Sequence, residues 1–140
     1  MSAGAGKIRG PWTFSSNFRL LDDRFNPNDV GRLRRANFFR LGGNVEHKLK
    51  GGKSFGAFQH ASARLFVGHS WSYRKRLSQG FGLSFHTDWR TQSFQSIRLR
   101  SGTDYLFGGY DLYETRGLGP RARPRVFNVN LEFETDSRRT

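Results

Sequence analysis

Residues 57–90, AFQHASARLFVGHSWSYRKRLSQGFGLSFHTDWR, form the longest run in the chain with one uninterrupted period, and that period is 2. Ala57, Ala61, Ala63, Leu65, Val67, Trp71 and Tyr73 fall on one side, and His60, Ser62, Arg64, Ser70, Ser72 and Arg74 on the other. After a polar connection from Lys75 to Gly80, Phe81, Leu83, Phe85 and Trp89 oppose Gly82, Ser84, His86, Asp88 and Arg90. Successive side chains of a strand point to opposite faces, so the pattern predicts a long antiparallel hairpin with one apolar and one charged face. Charge in mid-strand on one face, with aromatics gathered toward the strand ends on the other, suits the wall of a membrane β-barrel better than a soluble sandwich.

The same period recurs on both sides of this hairpin. Trp12, Phe14, Phe18 and Leu20 alternate with Thr13, Ser15, Asn17 and Arg19, and Phe39, Leu41, Val45 and Leu49 with Arg40, Asn44, Glu46 and Lys48. Asn26-Pro27-Asn28-Asp29 between them reads as a capped helical turn or tight loop, and Lys50-Gly51-Gly52-Lys53 as a turn. Downstream, Ile97 and Leu99 alternate with Arg98 and Arg100 within Ser93–Ser101, and Ser101-Gly102-Thr103-Asp104 is a turn signal. Tyr105–Tyr113 is apolar on both faces, with Gly108 and Gly109 marking a bulge or bend, so its inward face stays open. Gly117–Arg125, with two Gly, two Pro and three Arg, reads as a loop. Val126–Thr135 is the cleanest short strand, Phe127, Val129, Leu131 and Phe133 against Asn128, Asn130, Glu132 and Glu134. Met1–Gly10 is small, Gly-rich and basic, and reads as a disordered lead-in.

At 140 residues the chain suffices for one domain, yet only 35% is hydrophobic while 15% is aromatic, with 14 Phe against two Ile. Its apolar surface therefore lies in thin stripes rather than a thick core. The net charge is +13, and 19 of the 24 basic residues are Arg, which makes nucleic acid, anionic lipid and acidic polysaccharide the partners to weigh. Scattering of these charges over turns and one solvated strand face explains them at least as well as a dedicated site. No cysteine is present, which removes disulfides and thiolate metal sites. No signal peptide or membrane helix is recognisable, so a barrel chain would need an export signal supplied from outside these residues.

Chemistry is thinly represented. His47, His60, His69 and His86 show no HxH or HxxxH spacing, so polar-face or interfacial roles outweigh metal ligation. His86 and Asp88 share a strand face, but no nucleophile is positioned beside them. Glu132 and Glu134 share a face as paired carboxylates would, and solvated strand charges are the ordinary explanation. The glycines form no phosphate-binding loop. An enzyme is therefore not expected, and neither is a cofactor. Arg interleaved with Phe and Tyr raises single-stranded nucleic acid as a ligand, but stacking platforms need rings and cations on one face, and here they sit on opposite faces.

Three local patterns resemble one family: Asn28-Asp29-Val30-Gly31-Arg32-Leu33-Arg34-Arg35-Ala36-Asn37; Tyr113-Glu114-Thr115-Arg116 followed by Gly119 and Arg123-Pro124; and Thr135-Asp136-Ser137-Arg138-Arg139. They are similar to the C-terminal domain of unknown function in Gram-negative proteins that begin with a family-9-type carbohydrate-binding module. The resemblance implies an outer-membrane β-barrel, of which this chain would be a fragment, and implies no catalytic residues.

The expected fold is thus all-β: an antiparallel meander of six or seven long amphipathic strands over residues 11–140, forming a partial, open barrel of the outer-membrane type. The expected function is that of a barrel segment in the Gram-negative outer membrane, in solute transport or surface glycan handling, with outer-membrane lipid, the remainder of a larger barrel, and an anionic solute or glycan as partners. Arg64, His86, Asp88, Arg90, Arg98 and Arg100 are the candidate lumen-facing residues. The alternative is a soluble basic β-sheet module that binds RNA or another polyanion.

Overall fold

The computed structural model describes residues 1–21, 38–49, 56–72, 77–111 and 120–135, and within these ranges every regular element is a strand. They are β1 (Ser2–Lys7), β2 (Trp12–Leu21), β3 (Phe38–Leu49), β4 (Phe58–Ser72), β5 (Ser78–Thr91), β6 (Ser96–Thr103), β7 (Gly109–Asp111), β8 (Arg121–Arg123) and β9 (Asn128–Glu134). Seven form one sheet in the order β1-β2-β3-β4-β5-β6-β9, antiparallel at every step, while β7 and β8 make a separate small hairpin. The long central hairpin is β4 and β5, which share the most extensive ladder, from Phe58↔Thr91 to Trp71↔Ser78.

The sheet is open. β1 and β9 are its edges, and because each neighbour reverses direction, the first and seventh strands run the same way. They cannot close onto each other as an antiparallel pair. The connections are also unequal. Residues 8–11, 50–57 and 92–95 join strands at one end, and residues 22–37, 73–77 and 104–127 at the other.

Register carries the alternation from strand to strand. Phe14↔Val45, Val45↔Leu65, Leu65↔Phe85, Phe85↔Ser101 and Ser101↔Val129 run straight across six strands on one face. The stripe Ala61, Ala63, Leu65, Val67, Leu83, Phe85, Val129 and Leu131 lies wholly on that face. No described element covers it: the described residues contain no buried hydrophobic side chain, and Phe14, Leu65, Phe85 and Leu131 are 53%, 43%, 39% and 70% exposed. At one end of the face the rings of Phe18, Phe39, Trp71, His69, Phe81 and Phe107 follow one another at centroid distances of 3.9–5.9 Å. At the other end Trp12 stacks on His47 and Phe58 meets Trp89 edge-on.

The opposite face is built small and polar. Gly42↔Gly68 and Gly68↔Gly82 form a glycine row across β3, β4 and β5, and the Phe66 ring folds along its own strand to within 3.2 Å of where a Gly68 side chain would begin. Three clefts of about 460, 300 and 170 Å³ open on this side. Gly80 supplies the sharpest local requirement, at φ 143°, where a Cβ would lie 2.6 Å from the Asp104 carbonyl oxygen and 3.2 Å from the Tyr105 ring.

Several expectations need correction. Residues 1–10 are not a disordered lead-in, since Ser2–Lys7 pairs with β2 from Ser2↔Arg19 to Lys7↔Phe14 and the Met1 amine donates to the Leu20 carbonyl at 2.9 Å. Backbone hydrogen bonds hold this Ala/Gly strand, and they leave no mark in hydropathy. Residues 117–125 are not all loop, because Arg121–Arg123 pairs with Gly109–Asp111. β5 begins at Ser78, inside the expected connection, and a register shift between Ser70 and Trp71 absorbs the difference. The helical turn expected at Asn26–Asp29 and the turn at Lys50–Lys53 lie outside the described residues. So do Tyr73, Arg74 and most of the residues behind the family resemblance.

Candidate functional site

On the charged face, even-numbered positions of neighbouring strands meet in rows. One row reads Glu46↔Arg64, Arg64↔His86, His86↔Arg100 and Arg100↔Asn130; the next reads Lys48↔Ser62, Ser62↔Asp88, Asp88↔Arg98 and Arg98↔Glu132. Opposite charges placed across a ladder attract when their side chains reach, and here they do. Arg64 donates from Nη2 to Glu46 Oε1 at 2.9 Å, and Lys48 Nζ sits 3.1 Å from Glu46 Oε2. Thr13 Oγ1 donates to the same oxygen at 3.4 Å. Arg98 gathers three carboxylates: Nε donates to Asp88 Oδ2 at 3.1 Å, Nη1 to Glu132 Oε1 at 3.3 Å, and Nη2 lies 3.2 Å from Glu134 Oε2.

All six candidate lumen-facing residues fall on this one face. Arg64, His86, Asp88, Arg98 and Arg100 line the 170 Å³ cleft together with Glu46 and Ser62. Arg90 does not join them; its guanidinium lies 5.6 Å from the Phe94 ring, at the β5–β6 turn. Asp88 accepts from Arg98 rather than from His86, so the side-by-side His–Asp pair of the sequence does not form a proton relay. His69 Nε2 is 3.0 Å from Ser78 Oγ, and no group of three metal-ligating side chains occurs among the described residues.

The six candidate lumen-facing residues did not include Glu46, Lys48, Glu132 and Glu134, which decide how much of the Arg charge is already neutralised. Alternation alone put Glu46 and Lys48 on the correct face. Their pairing with Arg64 needed the register of the β3–β4 hairpin, which strand parity does not contain.

No helix among the described residues is long and apolar enough to cross a membrane, which leaves crossing by strands untouched. No curated protein and no solved structure matches the chain. A family model described as "Domain of unknown function (DUF5916)" matches residues 1–140, end to end, and the chain belongs to that family.

Proposed function

We propose that this chain is a wall segment of an outer-membrane-type β-barrel, with its apolar face against lipid and its charged face along an aqueous path for solutes. The observation that carries this reading is the exposed apolar face, continuous over at least six strands with no hydrophobic side chain buried among the described residues. Monomeric soluble domains rarely expose contiguous apolar patches beyond a few hundred Å², because each large side chain moved out of water gains about 1.5–3 kcal/mol. Lipid supplies that burial without a second protein layer.

Three further features agree. β2, β3, β4 and β5 are 10, 12, 15 and 14 residues long, and a tilted strand needs about 9–11 residues to cross a bilayer. Rings collect at both ends of the apolar face, where aromatic girdles meet the two interfaces of a membrane. Two of the three connections at one end, residues 22–37 and 104–127, are longer than any at the other, in the direction of the usual asymmetry of such barrels. Unpaired edges are costly in lipid, and β1 and β9 point the same way. A fully antiparallel barrel therefore takes an odd number of further strands between them, which makes the remainder of a larger barrel the natural partner. The resulting role is passage of solutes or handling of surface glycans, in the Gram-negative outer membrane.

The competing soluble polyanion-binding module separates cleanly in one experiment. The 140-residue chain is produced without detergent, then with detergent micelles and liposomes. The membrane reading expects precipitation in buffer, and strand-rich circular dichroism with liposome partitioning once amphiphile is present. A monodisperse chain in buffer, retained on heparin and released steeply by salt, would replace it with the polyanion-binding module.

A further inference from the structure

The charged face is neutralised unevenly. Arg64 is held by Glu46, and Arg98 by Asp88, Glu132 and Glu134. Arg100, two residues further along β6 on the same face, forms no ion pair among the described residues. It lines the largest of the three clefts, about 460 Å³, together with His86, Ser84, Asn128, Asn130 and Phe66. Register brings these groups together: His86 lies opposite Arg100 on one side, Asn130 on the other, and Ser84 and Asn128 flank Gly102. Because Gly102 has no side chain, the cleft stays open between them. A Cβ there would fall 2.7 Å from Ser84 Cβ.

We propose that this cleft is a binding subsite for an oxyanion, a carboxylate or phosphate group carried by a small solute, with Arg100 as its charged anchor. A guanidinium presents two parallel N–H donors that match an oxyanion, and the imidazole N–H, the Asn amides and the Ser84 hydroxyl add donors around it. None of these side chains has its hydrogen-bonding capacity taken up by protein partners among the described residues, in contrast to Arg64 and Arg98. The volume suits a small organic molecule. At the far end the Asp104 carboxylate stands over Gly82, Oδ1 being 3.5 Å from the position of a Gly82 Cβ. It repels a second negative charge, so the fitting solute bears its charge at one end and hydroxyl or amine groups at the other. Phe66 offers an apolar surface between the two ends. The subsite deepens the solute-path reading, while binding itself needs no bilayer.

The test is titration of inorganic phosphate, at fixed ionic strength, into the full chain in lauryldimethylamine oxide micelles, following the His86 ring and arginine side-chain resonances by NMR. Saturable binding is expected to shift His86 and Arg100 together. Arg100→Gln should weaken it roughly ten-fold or more, and Arg100→Lys by less, since the charge remains without the fork. Arg90→Gln, on the same face but outside the cleft, should change affinity by no more than about two-fold, within surface screening. Equal weakening by Arg90→Gln and Arg100→Gln, or a phosphate response that never saturates, would overturn the subsite and leave only diffuse attraction to a basic surface. Should the chain prove soluble in buffer, the same titration runs without micelles, so the membrane reading can fail while the subsite is still judged on its own.

Discussion

Val67→Arg is expected to cost roughly 2–4 kcal/mol in the membrane-assembled protein, the penalty for an arginine on the lipid face near the bilayer midplane. Val67 sits in the middle of β4 between Gly43 and Leu83, on the uncovered face, with aromatic rings toward both strand ends. Arg64→Ala, three residues earlier on the other face, should cost much less. It removes one partner of Glu46, but Lys48 still holds that carboxylate, and an exposed ion pair contributes about 0.2–1 kcal/mol. Urea titrations and heat-modifiable gel migration of the two variants give the comparison. If Arg64→Ala did equal or greater damage, the charged face would be a packed interior, and the orientation proposed here would be reversed.

The second large effect belongs to the backbone. Gly80→Ala forces a side chain into φ 143° and drives its Cβ against the Asp104 carbonyl oxygen at 2.6 Å. Backbone groups, one in β5 and one just past the end of β6, cannot swing aside as a flexible side chain would. The expected loss is roughly 3 kcal/mol, strain and overpacking together. Gly56→Ala is the matched control, since Gly56 also has positive φ, 58°, but nothing lies within 4 Å of the added atom. Only the left-handed conformation then counts, at about 1 kcal/mol. Equal denaturant midpoints for the two variants would show that the close approach of residues 104–105 to the start of β5 is not maintained.

How far the sequence alone reached follows from what period 2 encodes. β2, β3, β4, β5, β6 and β9 were legible because each alternates between water-seeking and water-avoiding side chains, and such alternation also places every candidate arginine on one face. β1 was not, since Ser-Ala-Gly-Ala-Gly-Lys has no apolar stripe and is held by its ladder to β2. β8 was hidden by the Pro and Gly around it, which signal turns whether or not three residues between them pair. At the candidate site, the faces were readable and the partners were not. Whether Arg98 meets one carboxylate or three depends on the register of β6 against β9, two strands separated by residues 104–127. Arg100 stands out only when those pairings are known.

The orientation of the two faces can be measured directly, because the chain has no cysteine and every introduced one is unique. Spin labels placed singly at residues 62 to 68 of β4, in the chain reconstituted into lipid vesicles, report collision with oxygen dissolved in the bilayer and with a water-soluble nickel chelate. The expected pattern has a period of 2: high oxygen accessibility at Ala63, Leu65 and Val67, and high nickel accessibility at Ser62, Arg64 and Gly68. Oxygen-rich labels on the charged face, or uniform access to the nickel chelate at all seven positions, would contradict it.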